Sequence, residues 1–497
     1  MRALILTISF LSAAAAYVIE PPPPSRWRND EPDFFQLPLQ LQGDTEEITL
    51  SSKLPPTLEY YHRQYDETSR RRRPLCVLHP RGGGQLDDGP FKMAFEKCGK
   101  GGVIRLPDAN YTIGNPLQVE MHDAVLDVHG WISFSTDISN WVAKGNYQAD
   151  YQNFALAWVI SGSDIVVDGH NKGGIYGNGQ AWYDWAKDEG NKYGRPMALA
   201  FKGAKNVVVR DWSIVQPPFW SAIVLESEDV WFYNYYANAT NFNDDPAAKA
   251  HIHTWLQNTD GFDVYKSTNV GVVNMTYQGG DDCIAVKPNV SDFHIRNLTC
   301  YGGTGVAFGS IAQVPGITDW IENVTMDGVT LYPSTQHVMK NGLYFKSWMG
   351  DVHGEPPNGG GGGVGYARNI TISNVYMERN LRPIFIQTDV TAQNDWVGKG
   401  HDTGLFHWYD IHMNNVSGTS ELNRVVWIDC PKHVPCHDIT FSNFSMTPGR
   451  DDDPEIHFVC NNVVMGGEDG LTQCHPGDDT REGWKRGNRD HPETGSK

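Results

Sequence analysis

A short unit recurs through most of this chain: Asn or Asp, an apolar residue, any residue, a second apolar residue, then a polar turn. It reads Asp164-Ile165-Val166-Val167, Asn206-Val207-Val208-Val209 and Asp229-Val230-Trp231-Phe232. It returns as Asn269-Val270-Gly271-Val272, Asp292-Phe293-His294-Ile295 and Asn323-Val324-Thr325-Met326. Asn369-Ile370-Thr371-Ile372, Asp410-Ile411-His412-Met413 and Asp438-Ile439-Thr440-Phe441 complete the series. Successive copies start 23 to 46 residues apart, and several intervals sit near one or two multiples of the low twenties. A strand this short buries its inward residues only by stacking on copies of itself, so such units build a solenoid. The pattern predicts an all-β chain folded as a single-stranded right-handed parallel β-helix. A β-sandwich or a propeller is the all-β alternative. Asn at a repeated turn tolerates left-handed backbone and can carry a side-chain ladder. A helix expected over Gly89 to Glu96 would cap the first open coil and protect its edge.

In such a solenoid, spacing along the chain becomes position in space. Two Gly-flanked segments, Asn258-Thr259-Asp260-Gly261-Phe262-Asp263 and Gly279-Gly280-Asp281-Asp282-Cys283, carry acids about one coil apart. Asp281 follows Asp260 by 21 residues, and Thr304 follows Asp282 by 22. Neighbouring strands lie about 4.8 Å apart, so the acids converge across coils without a loop folding back. Glycoside hydrolysis needs carboxylates in pairs, one protonated for the leaving oxygen and one ionised to activate water. Crowded acids repel, which raises the pKa of at least one and keeps it protonated. A lone Asp-Asp turn would only bind solvent; the coil spacing is what argues for chemistry.

The chain begins Met1-Arg2, followed by an apolar run to Ala16 with small residues at its end. Residues 1–16 read as a secretory leader. The run is short for a membrane span and no later segment is long and apolar enough, so a secreted protein with no membrane partner is expected. Eight cysteines fall as sequence neighbours: Cys76 and Cys98, Cys283 and Cys300, Cys430 and Cys436, Cys460 and Cys474. An even number in a secreted chain implies disulfides, and sequential pairing would staple local loops. No Cys-x-x-Cys unit suggests zinc. Asn-x-Ser/Thr sequons stand at Asn110, Asn238, Asn274, Asn289, Asn297, Asn323, Asn369, Asn415 and Asn443. The net charge of −19 opposes nucleic acid as a partner. It also opposes long-range attraction of a polyanion at neutral pH, an objection that shrinks near pH 5 and favours an acidic working range. Residues 17–74 are rich in Pro, Arg and acids and read as a poorly ordered extension. It ends in Arg70-Arg71-Arg72-Arg73, a solvated basic run or a processing site that Pro74 would hinder. The solenoid is expected over 75–475, with a polar tail over 476–497.

These residues resemble family 28 of the glycoside hydrolases, the polygalacturonase family, from about Cys76 to Cys474. Gly174-Ile175-Tyr176-Gly177-Asn178-Gly179-Gln180-Ala181-Trp182, Arg195-Pro196 and Pro217-Pro218-Phe219-Trp220 look like its entry motifs. The Asn258–Asp263 and Gly280–Cys283 segments match its two acidic motifs. Cys300 to Ser310 matches the third except at its centre, and Asn341-Gly342-Leu343-Tyr344-Phe345-Lys346 stands in the place of the fourth. The resemblance implies a pectin-lyase-like solenoid that hydrolyses α-glycosidic bonds in pectin with inversion, as a monomer needing no metal or organic cofactor. It implies Asp281 as general acid, with Asp260 and Asp282 holding and deprotonating water. Lys346 would pair with a sugar carboxylate, and Tyr344, Thr304, Asn258 and Gln387 would contact substrate.

Two departures bear on specificity. The family pattern Gly-His-Gly is here Gly303-Thr304-Gly305, and His251 or His253 is a candidate substitute. Arg-Ile-Lys is here Tyr344-Phe345-Lys346, which removes a bidentate partner for a carboxylate. Three inserts, Asp184 to Gly194, Asn243 to Leu256 and Ser347 to Gly365, lie beside motif-bearing coils and would wall off one end of the groove. A blocked groove cuts from chain ends, so an exo-acting polygalacturonase is expected, with a rhamnogalacturonan hydrolase or α-L-rhamnosidase as the alternative within the family. Outside it stand a calcium-dependent pectate lyase and a β-helical adhesin. Trp182, Trp185, Trp220, Trp255 and Trp348 are candidate stacking surfaces for sugars.

Overall fold

The computed structural model describes residues 73–143, 147–148, 155–249, 254–391, 402–449, 455–464 and 475–476. The leader, the basic run before Arg73, His251, His253, Cys474 and the tail beyond 476 lie outside the described residues. The strands pair almost wholly in parallel, each with the strand one coil before and one coil after; the short pair at Tyr147–Gln148 is antiparallel. Parallel neighbours joined through turns of one hand make the β-helix that the repeats predict.

The repeats fall on one continuous ladder. Ile165 pairs with Val207, Val207 with Val230, Val230 with Val270 and Val270 with Phe293. Phe293 pairs with Val324, Val324 with Ile370, Ile370 with Ile411 and Ile411 with Ile439. All nine copies are therefore adjacent coils. This corrects the reading of the long intervals as two periods: each spans one coil whose turns carry an insertion. Turns on a solenoid surface lengthen without disturbing the stacked strands.

The Asn and Asp that open each repeat take left-handed backbone, with φ between 51° and 59° from Asp164 to Asp438. Their side chains bond along the axis, Asn206 to Asp164, Asn269 to Asp229, Asn323 to Asp292 and Asn369 to Asn323. A second ladder runs Asp211, Asn234, Asn274, Asn297. Inside, the same ladder positions are fully buried from Ile165 to Ile411, each worth roughly 1.5–3 kcal/mol of burial.

The first coil is closed by a helix, α1, over Asp88–Cys98, longer than the expected span by one residue at its start and two at its end. Its buried face, Phe91, Ala94, Phe95 and Cys98, packs on Trp158 and Tyr111. Disulfides join Cys76 to Cys98, Cys283 to Cys300 and Cys430 to Cys436. Among the described residues no helix is long and apolar enough to cross a membrane.

Candidate active site

The acids stand on the outer face of one sheet. Its strands Ala222–Leu225, Phe262–Tyr265, Ile284–Val286, Val306–Ile311 and Met339–Trp348 pair one coil to the next. Phe262 pairs with Ile284 and Ile284 with Val306, so Asp260, Asp282 and Thr304, each two residues earlier, stack on successive coils. Asp260 and Asp282 are 2% and 1% exposed; Asp281 is half-buried. The turn needs glycine on both sides. A Cβ on Gly280 would lie 2.5 Å from Leu256 Cβ, and one on Gly303 would lie 2.2 Å from the Asp281 carbonyl at φ 85°.

Asp281 Oδ2 accepts the Asn258 backbone N–H at 2.7 Å, and Oδ1 accepts the Asp282 N–H at 3.0 Å. Asp282 Oδ2 accepts from Lys346 Nζ at 2.8 Å, while its Oδ1 accepts the Thr304 hydroxyl. Lys287, itself buried, reaches Asp260 Oδ2 at 3.6 Å and Asp263 Oδ1 at 3.2 Å. Its ammonium stands 4.4 Å from the Trp220 ring centre. Asp260 Oδ1 receives no hydrogen bond from the described residues.

Burial pushes the Asp281 carboxyl above the usual range, and the Asp282 charge adds to it against the opposing pull of Lys346. Asp260 rises well above, through burial and then Asp263 and Asp281. Asp263 is pushed up to about 7 by burial, with Lys287 opposing. Burial is the largest influence on the Lys346 ammonium and lowers it, but Asp282, Tyr344 and Asp281 together raise it above the usual lysine value. The arrangement offers an accessible carboxyl biased toward its protonated form, beside a carboxyl group bonded to an ammonium and a buried acid with an acceptor oxygen that receives no hydrogen bond from the described residues. That set can protonate a leaving oxygen and polarise water at the same time.

The structure brings Asp260, Asp281, Asp282, Thr304, Lys346 and the Asn258 N–H together. Tyr344 and Gln387 bond each other at 2.6 Å, one coil apart. Lys346 differs from expectation: its ammonium is already tied to Asp282, with the side chain 15% exposed. A lysine this buried is stable only beside a carboxylate. Trp182, Trp220, Trp255 and Trp348 are buried and offer no face to a sugar; Trp185 is half-buried against Trp182.

Lys287 and His337 carry parts that motif reading missed, and Arg195, read there only as an entry motif, has a structural part as well. Lys287 follows Val286 as Lys346 follows Phe345, and both strands pair with Phe308, so the shared offset was the available signal. Buried Arg195 donates to the carbonyls of Gly190, Pro218 and Gln257 at 2.5, 3.0 and 3.0 Å and ties the first insert to the Asn258 segment. Burial lowers its pKa to about 10. His337 lies behind Gly280 and bonds the Thr254 hydroxyl; nothing local in the sequence marks it.

The sequence profile of the Glycosyl hydrolases family 28 matches residues 117–468. A protein of Aspergillus flavus provisionally named galacturan 1,4-alpha-galacturonidase A is 42% identical over 383 residues, 74% of this chain and 87% of its own. Alpha-L-rhamnosidase rgxB of Aspergillus niger is 33% identical over 396 residues, 79% of this chain and 88% of its own. The solved endo-xylogalacturonan hydrolase of Aspergillus tubingensis superposes with a TM-score of 0.63 at 20% identity, covering 81% of this chain and 99% of that one; the likeness is one of fold. With a profile over most of the solenoid and relatives of this similarity, the chain belongs to glycosyl hydrolase family 28 and is a glycoside hydrolase.

Proposed function

We propose that this protein is a secreted exo-acting hydrolase that removes terminal galacturonate from pectic chains with inversion. The carrying observation is the three-acid cluster, in which the Asp281 carboxyl is pushed above the usual range while Asp282 is bonded to Lys346. In this reading Asp281 protonates the glycosidic oxygen. Asp282 takes the proton of the attacking water, and Asp260 holds that water through its free Oδ1. Water attacks the anomeric carbon from the face opposite the leaving oxygen, and the C–O bond breaks as Asp281 gives up its proton. The galacturonidase name of the 42% identical relative supports the substrate class.

The exo pattern is supported by the inserts. Asn191 of the first bonds Asn358 of the third at 2.8 Å, and Asn243 of the second bonds Asp184 at 2.6 Å. A Cβ on Gly190 would lie 2.6 Å from the Asn258 side chain, so the joined loops press against the acid-bearing segment. A groove closed there admits a chain end. Digestion of polygalacturonate should then release monomer first while viscosity falls slowly, and proton NMR should show the anomer opposite to the substrate. Mixed oligomers would refute the exo pattern, and retention would refute the mechanism.

A rhamnose-releasing reading has one observation of its own: Tyr344 replaces the carboxylate-binding arginine and turns its hydroxyl to Gln387. Release of rhamnose but not galacturonate from rhamnogalacturonan would favour it.

A further inference from the structure

A three-residue unit, an aspartate, any residue and a histidine, occurs on two neighbouring coils as Asp127-Val128-His129 and Asp168-Gly169-His170. Leu126 pairs with Val167 and Asp127 with Asp168, so the two units lie side by side on the ladder of the repeats, not on the sheet that carries the acids. The same register places Arg105 before Asp127 and Arg210 after Asp168. Arg105 Nε donates to Asp127 Oδ2 at 2.7 Å, and Arg210 donates to Asp168 Oδ2 at 2.9 and 2.7 Å. Each carboxylate is thereby held through one oxygen, which leaves the other for the histidines.

His170 Nε2 stands 2.5 Å from Asp127 Oδ1, and His129 Nε2 stands 3.1 Å from the same oxygen. The His129 ring has no other polar partner among the described residues. The two rings stack with centres 4.2 Å apart. One nitrogen of each ring and one oxygen of Asp127 lie within 4.8 Å of one another. On the other side of its ring, His170 Nδ1 is 3.6 Å from Asp168 Oδ1, which also accepts the His170 backbone N–H at 2.9 Å. A carboxylate placed behind an imidazole is the outer partner that fixes which ring nitrogen is left for a metal.

Asp127 already has Arg105, so two imidazoles converging on its other oxygen exceed what a structural ion pair needs. Zinc binds imidazole nitrogen and carboxylate oxygen at about 2.0–2.2 Å, which sets tetrahedral ligands about 3.3 Å apart. The 3.1 Å and 2.5 Å separations fall within about 1 Å of that spacing. The His129 and His170 side chains are 35% and 27% exposed, so an ion and a water as fourth ligand can reach them. Two imidazoles with one carboxylate suit zinc and its neighbours in the transition series; calcium and magnesium want oxygen throughout.

We infer that Asp127, His129 and His170 form a structural site for a divalent transition metal of the zinc class, which clamps two neighbouring coils near the end that α1 caps. The site stands apart from Asp260, Asp281 and Asp282, and no step of hydrolysis runs through it. It is independent of the substrate reading above.

Metal binding to the full chain tests it, with Zn2+ alone as the probe. Metal-stripped protein dialysed against Zn2+ should retain one ion per chain by elemental mass spectrometry. Zinc at a hundredfold excess over its Kd should raise the melting temperature by about 3 °C, and Ca2+ at the same concentration should not. H129N/H170N should weaken zinc binding more than about 100-fold, beyond the loss that removing an outer partner causes. H129N alone leaves the Arg105 and His170 contacts of Asp127 in place. It should weaken binding at least about tenfold, with hydrolytic activity and the metal-free melting temperature near wild type, and it decides the matter if the double variant does not fold. No retained zinc, zinc that survives either substitution undiminished, or calcium bound as tightly as zinc would each overturn the site.

Discussion

At the scale of single residues, Asp281 and Lys346 do different work. In the proposed mechanism Asp281 holds a proton and then gives it up, so D281N, nearly isosteric, should cost about 10²- to 10⁴-fold in kcat with the melting temperature little changed. Activity within about tenfold of wild type would overturn its role as acid. Lys346 is bonded to Asp282 at 2.8 Å, so in the proposed mechanism it acts on the base as well as on any sugar carboxylate. K346A should therefore lower kcat and raise KM together, because it leaves Asp282 buried without its partner. A change in KM alone would show that the lysine reads only the sugar.

At the scale of elements, the turn asparagines matter more than their sequons suggest. Asn274 takes φ 57° and bonds Asn234 on one side and Asn297 on the other. Asn274→Ala should cost about 1–2 kcal/mol, from left-handed backbone without its tolerant side chain and two lost ladder bonds; urea denaturation measures it, and an unchanged midpoint would remove the ladder from the account. Six of the nine sequon asparagines, Asn274, Asn297, Asn323, Asn369, Asn415 and Asn443, donate their amide to the preceding coil. Asn238 is buried and donates to Tyr236. Asn110 is exposed. Glycopeptide mass spectrometry should find Asn238 bare and Asn110 the most open to a glycan.

At the scale of the whole molecule, three acids of the cluster set how stability follows pH. Asp263 is pushed up to about 7, and Asp260 and Asp281 are also raised. In the unfolded chain an aspartate titrates near 3.9. Between that value and about 7 the folded chain holds more protons than the unfolded one, so stability falls as pH rises. The melting temperature should be higher near pH 5 than near pH 8. D263N should flatten the slope, which separates this site from the general repulsion of a chain at −19. A melting temperature that rises from pH 5 to pH 8 would contradict the assignment. Activity should fall on the alkaline side as Asp281 loses its proton, in the same direction.

The repeats determined the fold class and even the register: all nine units chosen by pattern stand on one ladder, because an apolar residue after a turn asparagine has one place to go in a stacked coil. The two acidic motifs determined that Asp260, Asp281 and Asp282 would meet, since a solenoid turns spacing into proximity. Only the tertiary structure decided that Lys346 is spent on Asp282, that Lys287 faces Asp260 and Asp263, and that the inserts join through Asn191 and Asn358. It also decided that the candidate tryptophans are core and that long intervals are single coils. Those outcomes depend on which groups share a buried volume, and turn length, partner choice and desolvation are properties of neighbours across coils, which no local stretch of sequence records.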